Sequence, residues 1–281
     1  MKNLETATSK NKAKEELLDK IMTNLTQACN FDPKNAQAYT YRGRGFLFKS
    51  EYKRALFDFS AAIHALNNYK GQAYDQKPTR DFFLAFPFDS MDDAKPTPNP
   101  AGSLSINYNF AGMCNHALGQ FEEALAHYNI ADSWIRRVKS STNLDENLRS
   151  DILFNRGQTY TSLGGIDNLN KAIVDFKAAS DLQKDKSNTE RHKTLFNLGI
   201  VYRRIGDKKQ SIEKLIEATT LNVSKAATSN NLGLSHFDNE EFDLAMNCFQ
   251  IAAGAEAILV ETPDKGSEED LAFYYNNMGL C

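Results

Sequence analysis

Apolar residues recur along this chain at helical spacing. Leu17, Ile21, Leu25 and Ala28 fall three or four residues apart, so residues 11–30 are predicted to form an amphipathic helix, closed by Phe31-Asp32-Pro33. From residue 36 onward a longer period appears. A glycine is followed by a small residue after 12 positions, by a large apolar residue after 16 and by alanine after 19. The set Gly43, Ala55, Phe59, Ala62 returns as Gly112, Ala124, Tyr128, Ala131, then as Gly199, Ser211, Leu215, Ala218 and as Gly233, Ala245, Phe249, Ala252. Gly157, Ala172, Phe176 and Ala179 keep the order with three extra residues, and Gly279 opens another copy. Self-similarity at this period marks stacked units, because one helix pair cannot bury its apolar face alone. Glycine costs about 1 kcal/mol in a helix interior, so its returns need a packing reason. The expectation is that it sits on the first helix of each pair where the second helix crosses, and that a side chain there would hold the two backbones apart.

The residues around these glycines resemble the tetratricopeptide repeat (TPR) family, whose loose pattern is W-x2-L-G-x2-Y, then A-x3-F, then A. The fourth copy has Leu195, Leu198, Gly199, Tyr202 and Gly206; the third has Leu153, Gly157 and Tyr160. The second has Tyr108, Gly119 and Phe121, the first Tyr39, Gly43 and Phe46, and the fifth Leu232, Gly233 and His236. The likeness covers most of 36–253. It implies an all-α, right-handed superhelical solenoid of helix–turn–helix repeats. The expected organisation is an N-terminal helix or degenerate repeat over 1–35, repeat 1 over 36–67, an insertion over 68–104 and repeat 2 over 105–138. Repeats 3, 4 and 5 follow over 148–184, 190–222 and 226–260, and 271–281 is the first helix of a truncated repeat 6. Residues 139–147 and 263–269 are expected as loops. Five of the seven prolines fall in the insertion, together with Phe82, Phe83, Phe86 and Phe88. Residues 78–100 are expected to lie outside the stack, either packed back on it or offered to a partner. The last helix lacks its second half, so Phe273, Met278 and Leu280 are expected to be exposed or covered by another chain.

Composition narrows the function classes. Lysine and arginine number 33 against 36 acidic residues, for a net charge of -3, which gives no bulk attraction to nucleic acid or membranes. The N-terminus is rich in lysine and glutamate and lacks a signal peptide's apolar core. No apolar run approaches the roughly 20 residues that span a bilayer. Cys29, Cys114, Cys248 and Cys281 are scattered without a C-x2-C pair, which reads as reduced thiols in the cytoplasm. No catalytic signature appears. Gly43-Arg-Gly45 lacks the third glycine of a dinucleotide loop, and His64, His116, His127, His192 and His236 show no metal-ligand spacing. His236 stands where the family places tyrosine and is expected to be a packed core residue. No enzyme, cofactor or metal is expected.

A binding signal lies on the first helices, which in the TPR family line the concave face. Two positions before the glycine stand Asn155, Asn197, Asn231 and Asn277. In peptide-binding members an asparagine in this slot bonds the backbone of an extended ligand, its amide being both donor and acceptor. Gln158, Lys193, Arg203, Arg204 and Asn230 flank the series and complete the expected peptide-binding set, with the basic residues selecting acidic character. The carboxylate-clamp subclass that grips chaperone tails is a poor fit: of Phe154, Gln158, Asn197, Ala227 and Asn231, only Asn197 matches its pattern. The resemblance thus implies a non-enzymatic scaffold or adaptor holding a protein or peptide partner, with no nucleic acid or membrane. The insertion and the open C-terminal end are further expected contacts. Two alternatives stay open. One is a structural subunit of a ciliary or microtubule-associated assembly, placed in a cilium or the cytoskeleton. The other is the regulatory repeat region of a longer protein such as an enzyme, which the end at Cys281 favours.

Overall fold

The computed structural model describes residues 2–68, 100–138, 143–183, 188–221, 223, 225–260 and 266–281. Among the described residues the chain is all α-helix. The helices are α1 (Lys2–Phe31), α2 (Ala36–Phe48), α3 (Tyr52–Asn67), α4 (Pro100–Ala117), α5 (Phe121–Ile135), α6 (Asn143–Leu163), α7 (Ile166–Leu182), α8 (Asn188–Arg204), α9 (Lys208–Thr220), α10 (Lys225–Asp238), α11 (Phe242–Val260) and α12 (Glu268–Met278). From α2 onward they form helix–turn–helix pairs. Two of the first helices start on a side-chain cap or its equivalent: the Asn35 side chain accepts from Ala38 N–H at 2.9 Å, and Ser267 Oγ from Asp270 N–H at 3.2 Å. The turn inside a pair needs one left-handed residue. Gly119 and Gly206 supply it at φ 76° and 85°, while Ser50 and Glu240 adopt the same conformation in repeats 1 and 5.

The repeated glycine has a different reason from the one expected. What it faces is the large side chain sixteen or nineteen residues later, not the second backbone. A Cβ on Gly43 would come within 2.8 Å of the Phe59 ring, on Gly112 within 2.6 Å of Tyr128, and on Gly157 within 2.8 Å of Phe176. At Gly199 the obstacle is Leu215 at 2.6 Å and at Gly233 Phe249 at 2.6 Å. The bare backbone is a seat for a ring or a leucine, and all five seated side chains are buried.

The chain divides into two compact units, 1–152 and 153–281. In the first, α1 packs on α2, α2 on α3, α3 on α4 and α4 on α5. Its core joins Leu18, Met22, Phe46, Phe59, Ala111 and Cys114, and a second cluster gathers Ala124, Tyr128, Ala131, Ile135 and Ile152. The α1 stripe is centred one residue beyond the expected one: Leu18, Met22 and Cys29 are buried and the expected Ile21 packs against the core, whereas the expected Leu17 is 44% exposed. Gly45 explains the choice, since an added Cβ there would overlap Met22 Sδ. Residues 100–104, expected in the insertion, begin α4, where Ala101 and Leu104 are buried. Residues 143–147, expected as loop, are the first turn of α6. Residues 69–99, which carry most of the insertion, lie outside the described residues.

In the second unit α7 packs on α8, α8 on α9, α9 on α10, α10 on α11 and α11 on α12. One cluster joins Leu169, Ile173, Phe176, Leu198, Val201 and Tyr202; another joins Ala226, Ala252, Ala253 and Tyr274. By length and composition α11 is apolar enough to cross a membrane, with a mean hydropathy of 1.3 over its best window, which corrects the expectation that no run approaches that length. In this fold its Ala245, Phe249, Ala252 and Ala253 are buried in the stack. At the C-terminal end, Phe273 on α12 and Leu280 just beyond it are exposed as expected, but Met278 packs on the core, and Tyr274 and Asn277 are buried against the preceding repeat.

Candidate functional site

The expected site residues all fall on first helices of the second unit, and the structure gives them three different fates. Asn197 on α8 and Asn231 on α10 are half-buried. Each donates one amide hydrogen back along its own helix, Asn197 to the Lys193 carbonyl at 2.8 Å and Asn231 to the Ala227 carbonyl at 2.9 Å. An amide has two hydrogens and an acceptor oxygen, so a donor and an acceptor are left over on each. Asn155 and Gln158 on α6 are also half-buried, and Lys193 is exposed with no acidic partner among the described residues.

Asn230 leaves the set. It is 4% exposed, and its Oδ1 accepts from Asn277 Nδ2 at 2.7 Å, a buried amide pair that ties α10 to α12. The fourth asparagine of the series, Asn277, is therefore a strut between repeats. The two arginines are struts as well. Arg203 Nε donates to Asp238 Oδ2 at 2.6 Å, joining α8 to α10. Arg204 Nη1 donates to the Thr161 carbonyl at 3.0 Å, joining α8 to the end of α6. Of the expected basic cluster, Arg203 is neutralised by Asp238, while Lys193 and Arg204 have no acidic partner among the described residues.

Sequence reasoning missed Phe196, Ile200 and Phe237, apolar residues between these amides. On α8, Phe196 and Ile200 lie one turn apart beside Asn197; on α10, Leu234 and Phe237 lie within two turns of Asn231. All four are half-buried, and α8 touches α10 directly. Phe196 stacks on His192 with ring centroids 6.0 Å apart, and Phe237 meets Phe242 edge-on at 5.4 Å. The signal was present in the sequence: the slots three before and one after each glycine hold Phe196 and Ile200, then Asn230 and Leu234. Below this face, His192 is 3% exposed, its Nε2 2.8 Å from Thr228 Oγ1, and burial holds it below the ordinary imidazole range. His236 is buried as expected, with Nδ1 2.6 Å from Glu241.

No family model and no curated protein matches this sequence. Solved structures do. The chain is similar to YrrB, described as a TPR protein with an unusual peptide-binding site, at 14% identity and a TM-score of 0.55 over 90% of this chain and 97% of that one. It is similar to BtubC from P. vanneervenii at 12% identity and a TM-score of 0.65, over 92% and 95%. It is also similar to the TPR-like repeats of a putative Podosopora anserina kinesin light chain, at 12% identity and a TM-score of 0.57, over 83% and 99%. The chain has the tetratricopeptide-repeat fold. At these identities the likeness carries the fold alone. Within the TPR fold, the glycine seats and buried alanines belong to the architecture, and the half-buried residues of α8 and α10 are what differ in kind from packing. Among the described residues, no cluster of three His, Cys, Asp or Glu side chains could hold a metal. Cys114 is fully buried, and that burial raises its thiol to about 12.

Proposed function

We propose that this chain is a non-enzymatic protein-binding scaffold that holds an extended segment of a partner protein along the first-helix face of α8 and α10. The observation that carries the reading is the alternation of half-buried apolar side chains, Phe196, Ile200, Leu234 and Phe237, with the partly unsatisfied amides of Asn197 and Asn231. Amides repeated in one slot suit the repeated peptide units of an extended chain, and the apolar residues suit its side chains. Acidic preference rests on Lys193 and the exposed Arg204, since Arg203 is paired with Asp238. The peptide-binding site named for YrrB supports the class of ligand by analogy of fold. The four free cysteines accord with a reducing compartment such as the cytoplasm.

The test is comparative affinity isolation with wild type, Asn197→Ala and Leu234→Glu, read by quantitative mass spectrometry beside circular-dichroism melting. The expected result is a set of proteins held by wild type, reduced by Asn197→Ala and lost with Leu234→Glu, at a nearly unchanged melting temperature. Equal recovery of the same set by all three chains would place the binding surface elsewhere.

A further inference from the structure

The first and last helices each leave a packing face open. In the five complete pairs the second helix turns a small residue, a large residue and an alanine onto its first helix, as Ala55, Phe59 and Ala62 do on α3. All fifteen of these side chains are at most 1% exposed. One repeat length before Ala55, Phe59 and Ala62, at about 34 residues, α1 carries Ile21, Leu25 and Ala28 in the same slots. There all three are only half-buried, and Leu17, one turn earlier, is exposed. The adjacent stripe of α1, with Leu18 and Met22, is taken up by the core it shares with α2. Among the described residues no helix closes over the stripe of Ile21, Leu25 and Ala28. The gap at α12 is the converse. This is a first helix, with Tyr274 and Asn277 buried against the preceding repeat, and the face that would receive a second helix is open. In the complete pairs that face begins at Ala36, Ser105, Ser150, His192 and Ala226, all buried, whereas Ala272 on α12 is exposed. Tyr275 is 55% exposed where Leu153 and Leu195 are 2%. Gly279, just past the helix end, is exposed, and a Cβ there would meet only carbonyl oxygens of its own helix, those of Asn276 and Tyr275. It is an empty seat, while the other five seats each hold a side chain from their second helix.

We propose that a second copy of this chain closes the pair: α1 of one copy lies antiparallel on α12 of another, with Leu25 in the empty seat at Gly279, as Leu215 lies over Gly199. Register and continuity select the occupant. The two open faces are the two halves of one helix pair, and joining them extends the packing that already runs from α11 to α12 and from α1 to α2. The contact is heterologous, so each added copy offers the same two faces again, and association is open-ended unless the array closes into a ring. A contact of one helix pair falls at or below the lower end of standard protein interfaces, about 1,200 Å², which makes the association weak and dependent on concentration. Neither α8 nor α10 takes part, so the contact is independent of the peptide-binding face.

The experiment is sedimentation equilibrium of the full chain and its variants. The weight-average mass of wild type should rise above that of one chain between about 10 μM and 1 mM. Leu25→Glu and Tyr275→Glu, one on each face, should each weaken the association by about tenfold or more, because a charge would enter the closed pair. Both positions are incompletely packed in the single chain, so circular-dichroism melting should stay close to wild type. Mixing the two variants should give a dimer and nothing larger. The Leu25→Glu chain keeps an intact α12, the Tyr275→Glu chain keeps an intact α1, and only one contact between them can form. Gly279→Phe fills the seat from its own chain and should behave like Tyr275→Glu, which keeps the test decisive if Leu25→Glu melts early. The proposal is overturned if wild type stays at one chain mass up to about 1 mM. It is also overturned if Tyr275→Glu and Gly279→Phe associate like wild type, or if the mixture of folded variants holds no dimer. An association lost instead with Leu234→Glu would lie on the α8–α10 face and overturn the end-to-end contact.

Discussion

In repeat 3, α6 and α7 meet through a flat aromatic ring and a buried ion pair; in repeat 4, α8 and α9 meet through a leucine and a hydroxyl. Phe176 lies over Gly157, and beside it Arg156 grips Asp175 at 2.6 and 2.7 Å. Leu215 lies over Gly199, and Ser211 donates to the Gly199 carbonyl at 2.8 Å while touching Ser235 Oγ at 2.8 Å on the next repeat. Repeat 1 uses the repeat 3 solution, with Arg42 on Asp58. The apolar seat recurs because its geometry is set by the helix crossing. The polar contact beside it varies because the only physical demand there is that a buried polar group find a partner.

The largest expected effect comes from breaking the repeat 3 pair. Arg156→Met leaves the Asp175 side chain, 6% exposed, buried without its cation, and should cost about 3–5 kcal/mol in a urea titration. Adding Asp175→Leu should restore most of that loss. No recovery in the double variant would mean that Arg156 matters through its other contacts. Next in size is the seat itself. Gly157→Ala should lose about 1–3 kcal/mol of stability, because the Phe176 ring must shift, although alanine is the better helix former. Gly254→Ala on α11, where no atom lies within 4 Å of the added methyl, is the control and should gain up to about 1 kcal/mol. If both substitutions stabilise, the ring yields freely and the seat is not a constraint.

Ser211→Ala should cost about 0.5–1.5 kcal/mol, the price of one neutral hydrogen bond, because Ser235 keeps its own bond to the Asn231 carbonyl. Alanine is also what the other four repeats carry at this position. A loss as large as that of Arg156→Met would erase the distinction between the two repeats. The smallest effect is on pH dependence. Burial and then the Lys193 charge hold His192 below its ordinary value, so at mildly acidic pH the unfolded chain binds a proton that the folded repeat 4 refuses. Stability should therefore be retained above about pH 6.5 and fall as pH drops below it. His116 and His127, lowered by burial in the first unit, add to the same slope. His192→Gln should flatten part of it in urea titrations across that range; an unchanged slope would assign the whole effect to the other two.

The legible part of the fold was the part with a local cause. Glycine followed at fixed spacing by a small residue, a large one and alanine needs no knowledge of neighbours beyond one helix pair, and Gly43, Gly112, Gly157, Gly199 and Gly233 all serve as seats. The site was less legible. Asn197 and Asn231 share a slot with Asn277, yet the first two keep amide groups open to a ligand while the third is 3% exposed against Asn230. A slot in a repeat fixes direction from the helix axis, not what the next repeat places there. Arg203 read as free positive charge for the same reason; its partner Asp238 lies 35 residues away, and the Thr161 carbonyl that orients Arg204 lies 43 residues away.

What the sequence determined by itself was the helical class, the period and the residues that hold each pair together, because helix propensity, turn conformation and a ring on a glycine act within about forty residues. What only the tertiary structure decided was which of several equivalent stripes faces inward and which polar side chains remain available. Leu17 and Leu18 fit a helix equally well, and Gly45 on the neighbouring helix, by leaving room for Met22, selects the second. Burial is a property of the partner surface, and a one-dimensional pattern specifies it only where the partner is next in the chain.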